Sequence, residues 1–344
     1  MEQPILKYRP DEFIVAEAIS LSKQCMNNRN PKFRYFRLVK AGFTTFEAVA
    51  EIAEFLSVAT SRIHYAGLKD EDAITEQFIA LDDAAPDQNA LQRFNAGHRF
   101  GHYRFLELHQ HGAGDEQIRV GNLNGNTFRL VVRNLSRDIL ERLFPSSRTC
   151  AYFLNYYDTQ RFGVATGPKI THLIGKALLV GNFDAALACL KRAGTPESGK
   201  AIGFNGTAEE FFQQLEPRVV AFFKSSHVSY TWNERLAALV RSVCGKEAMD
   251  ESAEAIPFVF ARRQSLVTAV AREQMTLEYQ KFYGSDGGGC RATTVQVQLL
   301  CHSVAEDDVN ENAYKCDVSF FLPSGCYATM FAKQFFNMTD VHPS

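Results

Sequence analysis

The stretch "HYAGLKDEDAITEQF", residues 64–78, decides how the chain is read. A strand-like run ends at Ala66-Gly67, and the charged pair Lys69-Asp70 follows at the tip. Three more acids, Glu71, Asp72 and Glu76, crowd the same few residues. "RIHYAGL" and "EQFIAL" have the apolar and β-branched content of strands, which places Asp70 on a loop carried by a sheet. A lone Asp after Gly-Leu-Lys is ordinarily a turn former whose carboxylate caps nearby backbone N–H groups. A reactive role needs a cation beside it and a pocket around it.

Working outward, "DEFIVAEAI" alternates as a strand, and so does "RYFRLVKAG", with Tyr35, Arg37 and Val39 on one face and Phe36, Leu38 and Lys40 on the other. Thr44 and Glu47 are spaced as a capping box. Phe46, Val49, Ala53 and Leu56 then recur at helical spacing, with Glu47, Glu51 and Glu54 outward. "HYRFLELHQ" and "NTFRLVVRNL" continue the strands. Beyond about residue 160 the period turns helical, in "PKITHLIGKALLVGNFDAALACLKRAG", "AEEFFQQLEPRVVAFFK", "WNERLAALVRSV" and "SLVTAVAREQMTLEYQKFYG". "GSDGGGC", 284–290, reads as a linker. Strands resume at "TTVQVQLLCHSV" and "KCDVSFFLP", then a turn at Pro323-Ser324-Gly325 and a short helix from about Tyr327. The order β, then α, then β predicts an α+β chain: a helical domain inserted into a sheet domain whose last strands come from the C-terminus. The expected division is 1–160 with 291–344 as the sheet domain and 161–290 as the insertion.

Composition is that of a globular chain: 344 residues, 46% hydrophobic and 22% charged, with a net charge of −2. Eight cysteines are scattered without a CxxC, so reduced thiols are expected, not a disulfide framework or a zinc site. "MEQPILKYRP" lacks the apolar core of a signal peptide, and no apolar run reaches the ~20 residues of a membrane span. A cytoplasmic protein is expected, with no membrane partner. The charge is uneven: residues 1–40 hold eight basic side chains against four acids, whereas 67–90 hold one against seven. Such a dipolar surface suits a polyanion on one side only, or simply a solvated exterior.

No GxxxxGK[ST], GxSxG or GxGxxG is present, which removes the usual support for nucleotide-cofactor and hydrolase chemistry. His98 and His102 stand at i, i+4, but Gly97 and Gly101 break the helix that a shared metal would need. They read as loop histidines, and no metal site is expected.

"YAGLKDEDAITEQ" resembles the surroundings of the catalytic aspartate in the TruD family of pseudouridine synthases, an A-G-x-K-D segment followed by A-V-T-x-Q. "ILKYRPDEFIVAE" resembles the family's opening, "IRVGNLNGNTFRLVVRNL" its G-x-L-x-G-N-x-F segment, and "LNYYDTQRFG" its N-Y-F-G-x-Q-R-F-G. "THLIGKALLVGNF" resembles its continuation, and "FFLPSGCYATM" its final strand and L-P-x-G-S-[YF]-A-T turn. The six segments occur in the family's order over nearly the whole chain. The resemblance implies a mixed, mostly antiparallel catalytic sheet flanked by helices, interrupted by a mainly helical insertion, and the isomerisation of uridine in RNA to pseudouridine, without cofactor or metal. Asp70 is then the catalytic residue, as nucleophile at the sugar or by a glycal route. Lys7 is placed to pair with Asp70 and keep it charged. Phe128 becomes the platform for an everted base, Asn126 a hydrogen-bonding partner of the uracil edge or a loop-ordering residue, and Tyr327 a pocket wall. Arg161 touches phosphate or holds a domain junction, and Lys69 faces the substrate or the fold. The expected partner is RNA, first of all tRNA at position 13, with the chain a monomer. Another RNA, a smaller uridine compound, or a non-catalytic RNA-binding module are the alternatives.

Three departures bear on docking. Glu71-Asp72 follow the K-D pair where the family has a basic or small residue, "GAGDEQIRVG" offers two acids and only Arg119, and Asp158 replaces the Gly of N-Y-F-G. Each lowers positive charge or adds negative charge where phosphate is expected, which predicts weaker and less salt-sensitive binding.

Overall fold

The computed structural model describes residues 4–21, 31–82, 86–164, 166–280 and 288–340. The chain forms two compact units, Met1–Thr149 with Gln298–Gly325, and Cys150–Val297 with Cys326–Ser344.

In the first unit, β1 (Phe13–Ala18), β2 (Phe33–Ala41), β3 (Ile63–Tyr65) and β4 (Ile74–Asp82) are followed by β5 (Arg99–Gly101), β6 (Arg104–Gly114) and β7 (Gly125–Leu135). Strands β8 (Arg148–Leu154), β9 (Ala248–Asp250), β10 (Val259–Ala261), β11 (Thr276–Gln280) and β12 (Gly288–Ala292) come next, then β13 (Thr294–Glu306) and β14 (Tyr314–Pro323). The main sheet runs β5-β6-β2-β4-β1-β7-β14-β13-β8, with β3 also paired to β4. Its β1–β4 pair is parallel, while β2–β4, β2–β6, β1–β7, β7–β14 and β13–β14 are antiparallel. The mixed, mostly antiparallel sheet that the resemblance implies is therefore present.

Helices α1 (Thr45–Leu56) and α2 (Gln88–Gly97) cover one face of that sheet. The Thr44–Glu47 capping box forms in both directions. The buried stripe of α1 is Ala48, Val49, Ile52 and Ala53, packed with Phe36, Leu38, Ile79, Leu81, Leu106 and Leu108. Phe46, expected inward, is 62% exposed. It stands in the first helical turn, where the buried arc centres on Ala48 and Ile52, and its ring lies against the edge of Tyr65 instead.

The second unit is helical at its centre. Helices α3 (Arg137–Leu143, in the first unit), α4 (Thr171–Leu179), α5 (Phe183–Arg192), α6 (Pro196–Ile202), α7 (Ala208–Gln214) and α8 (Pro217–Cys244) precede α9 (Gln264–Glu273) and α10 (Ala328–Phe335). Ile174, Leu178, Leu190, Phe211, Phe212 and Phe223 make its core. At Gly175 a Cβ would fall 1.9 Å from the Phe223 carbonyl oxygen, so glycine sets how closely α4 approaches α8. Two segments differ from the sequence reading. "MTLEYQ", read as helix, is strand β11, and the described part of the presumed linker, from Gly288, is its antiparallel partner β12. Residues 284–287 lie outside the described residues. The β-branched and aromatic residues of 276–279 favour a strand once a partner is available, and the two glycines Gly288 and Gly289 do not prevent one. Among the described residues, no helix is long and apolar enough to cross a membrane.

Candidate active site

The inward side chains of neighbouring strands form rows. Lys40 (β2) lies opposite Thr75 (β4), Thr75 opposite Val15 (β1), Val15 opposite Phe128 (β7), and Phe128 opposite Phe320 (β14). In the next row Leu38 faces Gln77, and Glu17 faces Asn126, which faces Leu322. Period-two alternation thus collects two inward charges, Lys40 and Glu17, together with the uncharged polar Thr75, Gln77 and Asn126, among apolar neighbours on one sheet face.

Those charges hold the loop that carries Asp70. Lys69 Nζ donates to Glu17 Oε1 at 2.8 Å, with side-chain exposures of 6% and 0%. The other Glu17 oxygen accepts from the Phe78 backbone N–H at 2.9 Å. Lys40, wholly buried, donates to the carbonyls of Phe43 (2.8 Å), Lys69 (3.1 Å) and Asp70 (2.8 Å). The Lys69 N–H donates to Thr45 Oγ1 at 3.0 Å, and Thr45 in turn donates to Gln77 Oε1. Gly42 N–H reaches the Glu71 carbonyl and Gly121 N–H the Ala66 carbonyl. From Ala66 to Glu71 the backbone is therefore fastened by β2, α1 and two further loops.

On this fixed backbone the Asp70 carboxylate points outward, 53% exposed, with Lys7 Nζ 2.9 Å from Oδ2. Lys7 is placed by the chain before β1. Ile5 exchanges both backbone hydrogen bonds with Arg133 of β7, and Lys7 itself holds φ +57°, a strained value for a side-chain-bearing residue. Its ammonium sits 4.3 Å over the Phe13 ring. Phe13 meets Phe128 edge-on at 6.2 Å, and Phe128 stacks on Phe320 at 5.5 Å. Glu71 and Asp72 are exposed.

Of the residues singled out from sequence, Lys7 and Asp70 form an ion pair, and Asn126 and Phe128 share one face of β7. Phe128 is only 6% exposed, so it stands within an aromatic stack and not as an open platform. Asn126 Oδ1 is buried and, among the described residues, without a hydrogen-bond partner; Thr75 Oγ1 shares that condition. A buried acceptor left unsatisfied is uncommon. Lys69 is turned into the fold, because its ammonium closes on Glu17. In the second unit Arg161 donates to Ser225 Oγ (2.6 Å) and Ser229 Oγ (3.3 Å) and lies 4.8 Å over Phe222, all on α8. Tyr327, the residue before α10, stands edge-on to Tyr157, and burial pushes its phenol up to about 12.

Lys40, Glu17 and Thr45 escaped the sequence reading as site residues. A signal existed for two of them: Lys40 follows Phe36 and Leu38 on one face of its strand, and Glu17 follows Phe13 and Val15. Asp158, taken as an unfavourable charge, is 5% exposed at its side chain and accepts from Lys333 Nζ at 3.1 Å, from the Thr159 N–H at 2.7 Å and from Thr329 Oγ1. Its charge is consumed within the second unit. Among the described residues, no group of three or more His, Cys, Asp or Glu could hold a metal ion.

The sheet carries a half-exposed carboxylate beside an ammonium, and comparison with known proteins gives the chain a family. A family model described as tRNA pseudouridine synthase D (TruD) matches residues 3–202, more than half of the chain. The chain is 23% identical to the probable tRNA pseudouridine synthase D 1 of Methanococcus maripaludis, over 97% of this chain and 100% of that one. It is 27% identical to the tRNA pseudouridine synthase D of Aquifex aeolicus, over 68% and 66% of the two chains. In fold it is similar to a crystal structure titled putative tRNA pseudouridine synthase D (TruD) from Methanosarcina mazei, with TM-score 0.59, 19% identity, and coverage of 98% and 94%. The chain belongs to the TruD family of pseudouridine synthases, isomerases that act on RNA.

Proposed function

We propose that this protein converts a uridine of tRNA, at position 13, to pseudouridine with Asp70 as the essential carboxylate. The observation that carries the reading is a half-exposed Asp70 side chain on a backbone fastened by buried charges, with Lys7 2.9 Å away. The reaction breaks the N1–C1′ bond and forms C5–C1′; C5 loses a proton and N1 gains one, so no atoms are added or removed. The target nucleotide leaves its stack to reach Asp70. Asp70 then acts at C1′ as nucleophile or takes a proton from the sugar, and Lys7 holds the carboxylate in place by a charge-assisted hydrogen bond. Asn126 Oδ1 accepts from the uracil N3–H, which supplies its missing partner. Phe128, backed by Phe13 and Phe320, gives the pocket a rigid apolar floor. Lys69 supports the loop from within, Arg161 anchors α8, and Tyr327 belongs to the surroundings of Tyr157. Residues 1–160 with 291–344 serve as the catalytic part and 161–290 as the insertion, in the cytoplasm.

The test is Asp70→Asn, incubated with unmodified tRNA and with total cellular RNA, followed by mapping of pseudouridine. We expect wild type to modify a tRNA uridine and the variant to show a loss of at least about 1,000-fold, or roughly 4 kcal/mol of transition-state stabilisation. Unchanged turnover in the variant removes Asp70 from the reaction. Tight RNA binding by wild type with no product on either RNA favours a binding module.

A further inference from the structure

We propose that Lys40 is a positioning residue for Asp70, a buried ammonium that clamps the backbone of the reactive loop and whose loss of a proton loosens it. An ammonium has three N–H donors, and here each has its own carbonyl: Phe43, Lys69 and Asp70, at 2.8, 3.1 and 2.8 Å. Two of those carbonyls belong to the loop and one to the segment between β2 and α1, so the clamp joins the loop to the sheet. The Lys40 side chain has 0% exposure, whereas the Asp70 side chain, whose own carbonyl Lys40 grips, is 53% exposed. All three Lys40 hydrogen bonds go to backbone carbonyls and none to the Asp70 carboxylate, so it acts through the loop. A neutral amine keeps two N–H donors, which leaves one of the three carbonyls without its partner.

Burial brings the Lys40 amine down to about 8, opposed chiefly by the nearby Asp70 carboxylate. The other charges around it are Lys69, which lowers it further, and Glu71 on the loop and Glu47 on α1, which raise it. Lys69 is itself closed on Glu17, and Asp70 on Lys7. The sign for stability is opposite to that for activity. The folded value lies below the unfolded one, so between about pH 8 and 10.5 the unfolded chain binds more protons, and this group's contribution to stability rises with pH. Activity falls across the same window, because the clamp loses a donor. An alkaline loss of rate with no loss of folding is the signature.

The inference rests on Asp70 being the reactive group, and its test has one arm that does not. Hydrogen exchange of the 66–72 amides, corrected for intrinsic base catalysis, is followed in wild type from pH 7 to 9.5. We expect at least tenfold faster exchange at the alkaline end while α1 and β4 stay protected; flat protection overturns the clamp whatever the enzyme does. In the second arm, kcat and KM on unmodified tRNA are measured over the same range for wild type and Lys40→Met. Wild type should lose kcat with a midpoint near pH 8 at nearly constant KM. Lys40→Met should be at least tenfold lower in kcat at pH 7, flat through pH 8.5, and faster in exchange at 66–72 throughout. A variant that keeps the wild-type rate and limb overturns the proposal, since a limb from the uracil N3–H would survive the substitution. Should Lys40→Met not fold, the wild-type exchange profile alone decides. Should Asp70→Asn stay active, the functional reading falls and the exchange arm still tests the clamp.

Discussion

Two aspartates, one in each unit, each have a lysine partner at nearly the same distance. Asp70 lies 2.9 Å from Lys7 and Asp158 lies 3.1 Å from Lys333. Their surroundings differ. Asp158 is 5% exposed, and its oxygens accept from a backbone N–H, a hydroxyl and an ammonium. The Asp70 carboxylate is 53% exposed and accepts from Lys7, while the buried Lys40 ammonium grips its backbone carbonyl and not its side chain. The first arrangement spends a carboxylate on the fold. The second spends the fold on a carboxylate, keeping lone pairs open for a reacting group. The two pairs are separated by where the remaining hydrogen bonds go, not by ion-pair length.

The widest separation is expected from paired substitutions. Asp70→Asn should lower turnover by at least about 1,000-fold and leave Tm within about 2 °C, since an exposed carboxylate contributes little to folding. Thermal unfolding beside single-turnover kinetics checks this. A large fall in Tm would mean that Asp70 is, like Asp158, a structural group.

The loop's support should respond in the opposite sense. Lys69→Met leaves the Glu17 carboxylate buried with, among the described residues, the Phe78 N–H as its remaining partner, and breaking such a pair costs about 3–5 kcal/mol. Urea unfolding should show the loss in the midpoint at constant slope. Glu17→Leu combined with Lys69→Met should recover much of it, because an apolar pair of similar volume avoids the desolvation of both charges. If Lys69→Met instead kept its stability and lost only RNA affinity, the lysine would belong to the substrate.

Lys7 lies between these extremes. Its side chain is 27% exposed and its partner more so, so Lys7→Met should change stability by no more than about 1 kcal/mol. The expected effect is on kcat, about 10- to 100-fold, with KM little changed, as for a group that fixes the attacking carboxylate. A rise in KM alone would make Lys7 a phosphate contact.

How much of this was legible follows from which interactions are local. The capping box of α1, the alternation of β2 and β7, and the loop position of Asp70 are properties of a few adjacent residues, and they appear as read. The Lys7–Asp70 pair spans 63 residues and came only from resemblance to a family. Lys40 and Glu17 were visible as charges on apolar faces, but that they meet one loop depends on β2, β4 and β1 being neighbours, which no local pattern states. "MTLEYQ" was misread because a helical count ignores a partner strand from across a glycine-rich segment. Phe46 was misread by taking the first apolar residue as the start of the buried arc.

Asp158 is the case in which sequence comparison pointed the wrong way, and it gives the smallest expected effect. Read as a negative charge replacing a glycine, it predicted repulsion of phosphate; in the structure its carboxylate is covered and neutralised by Lys333. Asp158→Asn keeps a side-chain oxygen for the Thr159 N–H but removes the charge, so the loss should be about 1 kcal/mol, near that of a weakened cap. Asp158→Gly removes the cap as well and should lose about 2 kcal/mol. Neither should raise RNA affinity at low salt by more than about twofold, because a buried paired charge contributes little field outside. Filter binding across a salt series measures this. A clear gain in affinity with Asp158→Asn, at unchanged stability, would restore Asp158 as a surface charge and erase the contrast with Asp70.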